Sequence, residues 1–438
     1  MNRELRAASE MKESGVEWIG RAPVDWKITK ISNEYDVQLG KMLGSKKLED
    51  AGLKDYLRAA NVLWGKFDLE EVKRMYILPF EKEDFAIRKG DLLVCEGGDV
   101  GRAAVWEGEL EDCYIQNSLH RIRPRSNNVS NRYLYYILYT ANSRGEMEAV
   151  SSKATIAHYT LVKIKRTKIP IPPKEGQEKI IKFLDPETSK IQKLIEAKTK
   201  QIQLLQEYEK SLIHHAVTKG LDLKAKMKDS GVEWIGIVPE TWRIRRLKSI
   251  CTLVGGGTPS KDNYEYWDGS IPWATPTDFQ ENPGIFINIT KDKITPKGLK
   301  ESSATLIPAG AVIMCSRASI GDTRINVEPI TTNQGFCSFI CTDIKNTYLR
   351  YAIDGFLYQE FQKRANKSTF AEISRGKIGQ IKIALPPNLE QEQIVKFLDT
   401  NASKIHETIN KIETQISKLE EYRKSLIYEI VTGKVKVS

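Results

Sequence analysis

Side chains that suit nucleic-acid contacts gather in two regions of the chain that are rich in turn residues. Arg, Asn and Gln can each make two hydrogen bonds to a guanine or adenine edge, whereas Lys, Ser and Thr suit phosphates. The alternative for any one residue is structural, because Asn and Gln often satisfy loop backbone and Trp often fills a core. The candidates in the first half are Arg58, Asn61, Trp64, Lys66, Gln116, Asn117, His120 and Arg121. The candidates in the second half are Thr258, Ser260, Lys261, Tyr264, Trp273, Thr275, Arg317, Arg324, Asn333 and Gln334.

Catalytic chemistry is not indicated by the spacing of the reactive residues. The chain contains no HExxH or GxSxG motif, and its five histidines share no metal-ligand spacing. The run Gly255 to Gly257 lacks the GK[ST] or GxGxxG pattern of a nucleotide-binding loop. The six cysteines include no CxxC pair, so we expect reduced thiols that lie mostly in the core. The sequence favours a binding protein without catalytic residues, metal or cofactor of its own.

The net charge and the lengths of the apolar runs limit the kind of partner and the cellular compartment that we expect. A formal net charge of +10 favours a polyanionic partner. No apolar run approaches the roughly 20 residues that a membrane-spanning helix needs. The first residues are charged where a signal peptide would be apolar. We therefore expect a cytoplasmic protein.

The elements that must position the candidate residues occur twice. Residues 11–26 recur at 227–242 with 11 of 16 positions identical, and residues 177–219 recur at 391–433 with 22 of 43 positions identical. The offsets of 216 and 214 are about half of the 438 residues. A period this long indicates a duplicated domain pair, because solenoid repeats recur every few dozen residues. We predict two similar modules related by an approximate twofold axis.

Each copy of the second repeated block predicts a long helix with a narrow apolar seam, whose positions step by three and four residues as in a heptad repeat. Lys198 and Glu209 interrupt the first seam and Arg423 interrupts the second. These three residues either set the register or extend their polar ends to solvent. The apolar seam residues are Ile191, Ile195, Ile202, Leu205 and Leu212 in the first helix, and Ile405, Ile409, Ile412, Ile416, Leu419 and Leu426 in the second.

The capping signals predict where each long helix begins. Asp185 followed by Pro186 is typical of an N-cap and a first helical position, and Asp399 takes the same place in the second copy. We therefore expect a short helix over QEKIIKFL to end there and a long helix of about 33 residues, about 50 Å, to begin. The two long helices should end near Val217 and Val431.

The width and direction of the seams predict how the long helices pair. A seam this narrow is what one partner helix covers. The first helix leads from the first module to the second, and the second helix leaves the second module, so pairing requires opposite directions. We predict an antiparallel coiled coil, which would also bring the C-terminal tail close to the N-terminal segment. The alternative is two independent surface helices, each packed on its own domain.

Between the repeated blocks the two halves share the spacing of several residues but little sequence identity. The alignment of IRKGDLLVCEGGDVGRAAV with IPAGAVIMCSRASIGDTRI has a constant offset of 220, and β-branched residues between glycines indicate short strands and turns. We predict an α+β protein with two similar α/β recognition domains separated by two long helices. The predicted boundaries are an N-terminal segment 1–26, a first domain 27–152, a central region 153–242, a second domain 243–366 and a C-terminal region 367–438.

Taken together, these stretches make the chain resemble the specificity subunit of type I restriction-modification systems. The resemblance covers almost the full length. It is carried by the duplicated SGVEWIG…P…W segment, by the PP…QE…KFLD…KSLI…VT helix, and by the GGTPS…EYW…IPW and NQG stretches of the second module.

This resemblance implies a function and a set of partners. Each recognition domain would bind one half of an asymmetric, bipartite double-stranded DNA target, and the coiled coil would set the spacing. Two modification (methyltransferase) subunits would dock on the helices, and restriction (motor-nuclease) subunits would join through the complex. S-adenosylmethionine, ATP and Mg²⁺ would belong to those partners. The alternatives are a protein scaffold that contacts no bases and a stand-alone nuclease.

Overall fold

The computed structural model describes residues 3–43, 50–147, 158–282, 284–366 and 371–437. The chain divides into two compact units. Unit 1 comprises Met1–Lys198 and Thr414–Ser438, and unit 2 comprises Thr199–Glu413. Each unit therefore holds one globular part and a portion of both long helices. The domain boundaries expected from the sequence stay predictions.

Unit 1 is built on a four-stranded antiparallel sheet, here called the main sheet. Its strand order is Ala103–Val105, Leu92–Cys95, Leu119–Pro124 and Tyr35–Leu39. The strand Leu92–Cys95 is apolar and buried throughout because each of its faces packs into a different core cluster.

A smaller side sheet in unit 1 pairs Cys113–Ile115 in parallel with Gly52–Leu57, which also pairs antiparallel with Lys73–Ile77. The remaining strands are Arg3–Leu5, Met11–Glu13, Arg21–Pro23, Lys27–Lys30, Val62–Leu63, Lys66–Phe67, Lys168–Ile171 and Val435–Val437. The α-helices are Ile31–Glu34, Lys82–Phe85, Asn131–Ser143 and Leu161–Arg166, besides the long ones.

Unit 2 repeats this topology. Its main sheet has the order Thr323–Asn326, Val312–Cys315, Phe336–Cys341 and Cys251–Gly255, and Phe286–Ile287 adds a fifth, parallel strand at the Thr323–Asn326 edge.

The side sheet of unit 2 pairs Thr331–Thr332 in parallel with Trp267–Ala274, which also pairs antiparallel with Asp292–Ile294. The prediction of two similar domains is confirmed by this equivalence. The remaining strands are Met227–Asp229, Ile237–Pro239, Arg243–Arg246 and Lys382–Leu385, and the helices are Asp278–Glu281, Pro296–Lys300, Asn346–Ala352, Ile353–Leu357 (a π-helix), Tyr358–Arg364 and Arg375–Gln380.

One helix per unit, here called the head helix, covers the main sheet. It is Asn131–Ser143 in unit 1 and begins at Asn346 in unit 2. In unit 1 Ser130 caps it by accepting a hydrogen bond from the Arg132 backbone N–H. The buried residues of the head helix join the main sheet and the long helices in one apolar cluster per unit.

Two long helices, Lys174–Lys219 and Asn388–Val431, run through both units. Within unit 1 the Arg423 guanidinium donates to Gln192 Oε1 at 2.8 Å, and Lys198 Nζ donates to Gln415 Oε1 at 2.5 Å. Within unit 2 Glu209 and His406 are 3.2 Å apart. Partner numbers fall along one helix as they rise along the other, so the helices pair antiparallel, as predicted.

The buried positions of these helices follow the seam. All eleven seam residues proposed from the sequence are buried or half-buried, and so are Lys198, Glu209 and Arg423. Leu194 and Leu204, one step off the seam, are about half exposed. Each polar seam residue has a partner on the opposite helix, which fits a role in register.

The predicted break at Asp185 and Asp399 is wrong. Each long helix begins directly after a proline pair and continues through the aspartate, with Pro186 inside the first helix, so the helices have 46 and 44 residues. Asp185 accepts hydrogen bonds from Arg132 Nε at 2.9 Å and from the Tyr136 hydroxyl at 2.6 Å. The aspartate therefore ties the helix to the head helix rather than capping a new one.

The chain termini meet within unit 1. Arg3–Leu5 pairs antiparallel with Val435–Val437 after the second long helix has ended at a left-handed Gly433. A Cβ at Gly433 would lie 2.4 Å from Pro23, so no other residue fits without a shift. The expectation that the C-terminal tail lies near the N-terminal segment is confirmed.

Candidate nucleic-acid interface

Loops that adjoin three strands of the main sheet in unit 1 meet at one end of those strands, here called the loop edge of the sheet. Leu39, Cys95 and Leu119 lie side by side at this edge, because Leu119 is opposite Cys95 and the next residue is opposite Leu39. Backbone hydrogen bonds join the loops: Glu96 N–H donates to Ser118 O at 3.0 Å, and Asn117 N–H donates to Lys41 O at 3.0 Å. We call Lys41, Glu96, Gln116, Asn117, Ser118 and His158 loop cluster 1.

The side chains of loop cluster 1 are polar and mutually ordered. The Ser118 hydroxyl donates to Gln116 Oε1 at 2.5 Å, and the Gln116 amide donates to Asn117 Oδ1. Partial burial raises the pKa of the Glu96 carboxyl above its ordinary value, an effect that nearby His158 opposes. The cluster therefore offers amide and carboxylate groups at a fixed edge.

Unit 2 forms the same arrangement at the equivalent edge. Ser316 N–H donates to Gly335 O at 2.7 Å, as Glu96 does to Ser118 O in unit 1, and Gly257 N–H donates to Thr332 O at 2.8 Å. A Cβ at Gly256 would lie 1.9 Å from Asn333 O, so this close approach requires glycine. We call Thr258, Arg317, Asn333, Gln334, Glu372 and Arg375 loop cluster 2.

The side chains of loop cluster 2 differ in chemistry from those of loop cluster 1. The Thr258 hydroxyl donates to Gln334 Oε1 at 2.5 Å, and Arg317 Nε lies 2.9 Å from Glu372 Oε1, with both side chains nearly half exposed. The shared backbone bond makes Ser316 and Arg317 the counterparts of Glu96 and Gly97 in unit 1. The two loop clusters therefore share a backbone arrangement but differ in their polar side chains.

Five candidates from the sequence do not reach either cluster surface, because their polar groups are hydrogen-bonded inside their units; four of them are buried and Arg324 is half-buried. Asn61 donates to Asp68 O at 2.9 Å, and Trp273 Nε1 donates to Gly257 O at 2.9 Å. Arg121 and Arg324 donate to backbone carbonyls, and His120 contacts Tyr159 O. DNA contact stays a prediction for these five residues, Asn61, His120, Arg121, Trp273 and Arg324, whose polar groups the structure places inside their units rather than in the clusters.

The other candidates are accessible, in the clusters or near them. Gln116, Asn117, Thr258, Arg317, Asn333 and Gln334 belong to the clusters. Arg58 is half-buried, pairs with Glu71 at 2.7 Å and lies beside Ala59, whose N–H donates to Ser118 Oγ at 2.9 Å. Trp64 packs edge-on against Tyr139, and the Thr275 hydroxyl donates to Asp278. Lys66, Ser260, Lys261 and Tyr264 are exposed, and Tyr264 is 88% exposed.

Six cluster residues escaped the sequence analysis: Lys41, Glu96, Ser118, His158, Glu372 and Arg375. Lys41, Glu96, His158 and Arg375 reach the same edges from segments far apart in the chain. The N–H of Tyr159, next to His158, donates to Glu96 O at 2.7 Å, and Arg375 Nη1 is 3.5 Å from the Cβ position of Gly255. The signal that could have found Glu96 is its match to Ser316, one residue after the aligned cysteines.

Comparison with known proteins decides the family. The family model described as the type I restriction modification DNA specificity domain matches residues 23–204 and again 239–418. The chain belongs to this family. The two matches correspond to the two halves of the repeat, so each half carries one specificity domain.

Relatives of this specificity-domain chain agree with the assignment. The type I restriction enzyme MjaIX specificity subunit of Methanocaldococcus jannaschii is 35% identical over 192 residues, which are 42% of this chain and 44% of that protein. The putative type I restriction enzyme MjaX specificity subunit of the same organism is 24% identical over 432 residues, 96% of each chain.

A solved structure shares the fold of this specificity-domain chain. A chain from work on the "structural basis underlying complex assembly and conformational transition of the type I R-M system" superposes with a TM-score of 0.74. It is 17% identical, and the match covers 94% of this chain and 99% of that one. Among the described residues, no helix is long and apolar enough to cross a membrane.

Proposed function

We propose that the chain recognises a bipartite DNA target, with each unit contacting one half-site through its loop cluster. The main sheets have the same strand order, and the edge loops are joined by equivalent backbone bonds. A shared frame favours the same mode of approach to the duplex, and different side chains favour different half-sites. This combination of one frame with two sets of polar groups is the observation that carries the proposal.

Loop cluster 2 has donors for purine edges. Because Gln334 Oε1 accepts a hydrogen bond from Thr258, its amide N–H₂ remains to donate to a base acceptor. The Arg317 guanidinium has five donors, of which the pair with Glu372 uses a part. Such groups suit the N7 and O6 atoms of guanine or the N7 atom of adenine.

Loop cluster 1 combines an acceptor with amides. The Glu96 carboxyl can accept a hydrogen bond from the cytosine amino group, and Asn117 can contact adenine. The accessible residues Arg58, Trp64, Lys66, Ser260, Lys261, Tyr264, Thr275 and Arg375 are proposed to contact the DNA backbone and so to fix the register without reading sequence.

The long helices have a separate proposed role. They set the number of base pairs between the half-sites and dock two methyltransferase subunits, which restriction subunits join. Support comes from the family and from relatives named as specificity subunits of type I restriction enzymes. In this proposal the chain itself is not catalytic, and it acts on DNA in the cytoplasm.

Matched alanine variants test the assignment of one half-site to each cluster. Asn117 and Gln334 occupy equivalent places, each directly before the residue whose carbonyl accepts the strand-joining bond. We expect Asn117→Ala to relax one base position in the first half-site and Gln334→Ala to relax one in the second, each costing about 1–3 kcal/mol of discrimination. Methylome sequencing of cells with the assembled methyltransferase gives the readout.

Each variant is the control for the other, and circular dichroism verifies folding. If either variant changed both half-sites, independent recognition by the two units would be wrong. A salt series on the assembled complex separates DNA recognition from a protein scaffold. Phosphate contacts make log K fall steeply with log salt, whereas a scaffold shows no such slope.

A further inference from the structure

Two cysteines of unit 2 lie opposite each other on neighbouring strands of the main sheet. Cys251 is the first residue of the strand Cys251–Gly255, and Cys341 is the last of Phe336–Cys341; they are register partners in this antiparallel pair. Thr342 N–H donates to Ile250 O at 3.0 Å, so the hydrogen bond between the strands falls on Ile250 and Thr342, one residue beyond the two cysteines. Cys251 and Cys341 therefore occupy a non-hydrogen-bonded pair, in which side chains approach most closely.

The geometry of such a pair matches the needs of a disulfide. Non-hydrogen-bonded partners have Cα atoms about 4.5 Å apart, within the range of about 4.4–6.8 Å that disulfides span. The two side chains lie in the same apolar cluster, and the Cys341 thiol donates a hydrogen bond to Phe339 O at 3.9 Å. The neighbouring Cys341 thiol, together with burial, raises the pKa of the Cys251 thiol. Cys341 is half-buried, so an oxidant reaches it first.

The arrangement is specific to this pair among the described residues of unit 2. Cys337 is opposite Gly255 and is buried, which raises the pKa of its thiol to about 12. Cys315 is opposite Phe336, and burial also raises its thiol pKa to about 12. In unit 1 the equivalent positions are Tyr35 and Pro124.

We propose that Cys251 and Cys341 are a modification site that closes to a reversible cross-strand disulfide under oxidation. Hydrogen peroxide oxidises the Cys341 thiol to a sulfenic acid and releases one water. The Cys251 sulfur then attacks the sulfenic sulfur, the S–S bond forms, and the hydroxyl group leaves with the Cys251 proton as a second water. A reducing dithiol reverses the bond by exchange and is itself oxidised.

The bond would link Cys251–Gly255 and Phe336–Cys341, which are neighbours in the main sheet of unit 2 although they are its first and last strands in chain order. It lies at the end of these strands remote from Gly255, where loop cluster 2 begins. Closing a loop of about 90 residues restricts the unfolded chain and raises stability. We expect thermal unfolding of unit 2 to shift upward by roughly 5–10 °C, and that of unit 1 to stay unchanged.

Peptide mapping of the full-length chain tests the proposal. The protein is treated with hydrogen peroxide, free thiols are alkylated, and tryptic peptides are analysed by mass spectrometry. We expect a cross-linked pair containing Cys251 and Cys341, lighter by two hydrogens than the separate peptides and released by dithiothreitol. Cys251→Ser and Cys341→Ser should each lose the cross-link and the thermal shift.

Cys337→Ser is the matched control, because Cys337 lies on the same strand and should leave the cross-link intact. A second pair of variants, Cys251→Ala and Cys341→Ala, with circular dichroism, guards against a folding defect of the serine variants. Oxidation of Cys341 to sulfinic acid with no cross-linked peptide would overturn the proposal. So would a cross-link that forms equally well in the Cys251→Ala variant.

Discussion

Arg121, which is buried, and Arg324, which is half-buried, direct their guanidinium groups to backbone carbonyls inside their units. Arg121 donates to Asp84 O and Ala86 O at 2.8 Å, and Arg324 donates to Phe279 O at 3.2 Å and to Asn282 O at 3.0 Å. These carbonyls lie at the ends of the short helices Lys82–Phe85 and Asp278–Glu281, which leave carbonyls without helical partners. A guanidinium satisfies them and complements the helix dipole.

His120 gives a residue-scale prediction about acid stability. Its Nε2 is 2.9 Å from Tyr159 O, and its buried Nδ1 has no hydrogen-bond partner among the described residues. Burial lowers the pKa of the imidazole to about 4. The unfolded chain binds a proton at this imidazole near pH 6.5, whereas the folded protein binds it only near pH 4. The contribution of neutral His120 to the free energy of unfolding is therefore fully present above pH 6.5 and is lost as the pH falls toward 4.

The effect of His120 is measurable by urea unfolding at a series of pH values. We expect unit 1 to lose up to about 3 kcal/mol between pH 6.5 and 4 through this group, and His120→Gln to remove that part of the pH dependence. His215→Gln is the control, because His215 is exposed and should keep the wild-type profile. An unaltered slope in His120→Gln would contradict the assignment.

At the scale of elements, tyrosines on the head helices hold each unit to both long helices. The Tyr133 hydroxyl lies 3.0 Å from Pro170 O and 3.2 Å from Val431 O, and Tyr348 is similarly placed on Ala384 O and Val217 O. The Tyr136 hydroxyl donates to Asp185, and the Tyr351 hydroxyl donates to Asp399, each at 2.6 Å. Both units therefore keep the hydrogen bonds that attach the head helix to the long helices, as well as the main sheet.

These attachments explain why the predicted helix break fails. Aspartate before proline is typical of a helix start, but here Asp185 accepts hydrogen bonds from two head-helix residues, and Leu184 beside it is buried. Helix propensity alone would end the helix before the proline. Tertiary contacts of this kind offset the free energy that a proline inside a helix costs. The sequence shows the local preference but not the contacts that override it.

Replacing Pro186 tests this account of the first long helix. Because proline lacks an N–H and crowds the preceding turn, we expect Pro186→Ala to stabilise unit 1 by about 1–3 kcal/mol in urea unfolding. Thr400 takes the equivalent place in the second helix and is exposed. Thr400→Pro should destabilise unit 2 by about 3 kcal/mol. A loss of stability in Pro186→Ala would mean that the proline is required for the helix path.

At the scale of the whole molecule, the repeat predicted most of the architecture. Two similar units, the antiparallel helix pair and the closure of the termini all follow from a duplicated frame and a heptad seam. The loop clusters could not be predicted from the sequence, because Glu96, His158 and Gln116 come together only through the pairing register of the strands. Residue type identified some members, such as Gln334 and Arg317, but could not separate them from buried residues such as Arg121.

The continuity of the long helices leads to a prediction about target spacing. Each helix has residues in both units, so its length should control how far apart the half-sites lie. Inserting seven residues after Leu204 and after Asn410 keeps the heptad seam and adds about 10 Å to each helix. At about 3.4 Å per base pair, the unspecified gap should grow by about three base pairs while both half-sites stay unchanged. Methylome sequencing measures both quantities, and an insertion in one helix alone, which mismatches the seam, should abolish methylation. An unchanged gap with altered half-sites would show that the helices do not set the spacing.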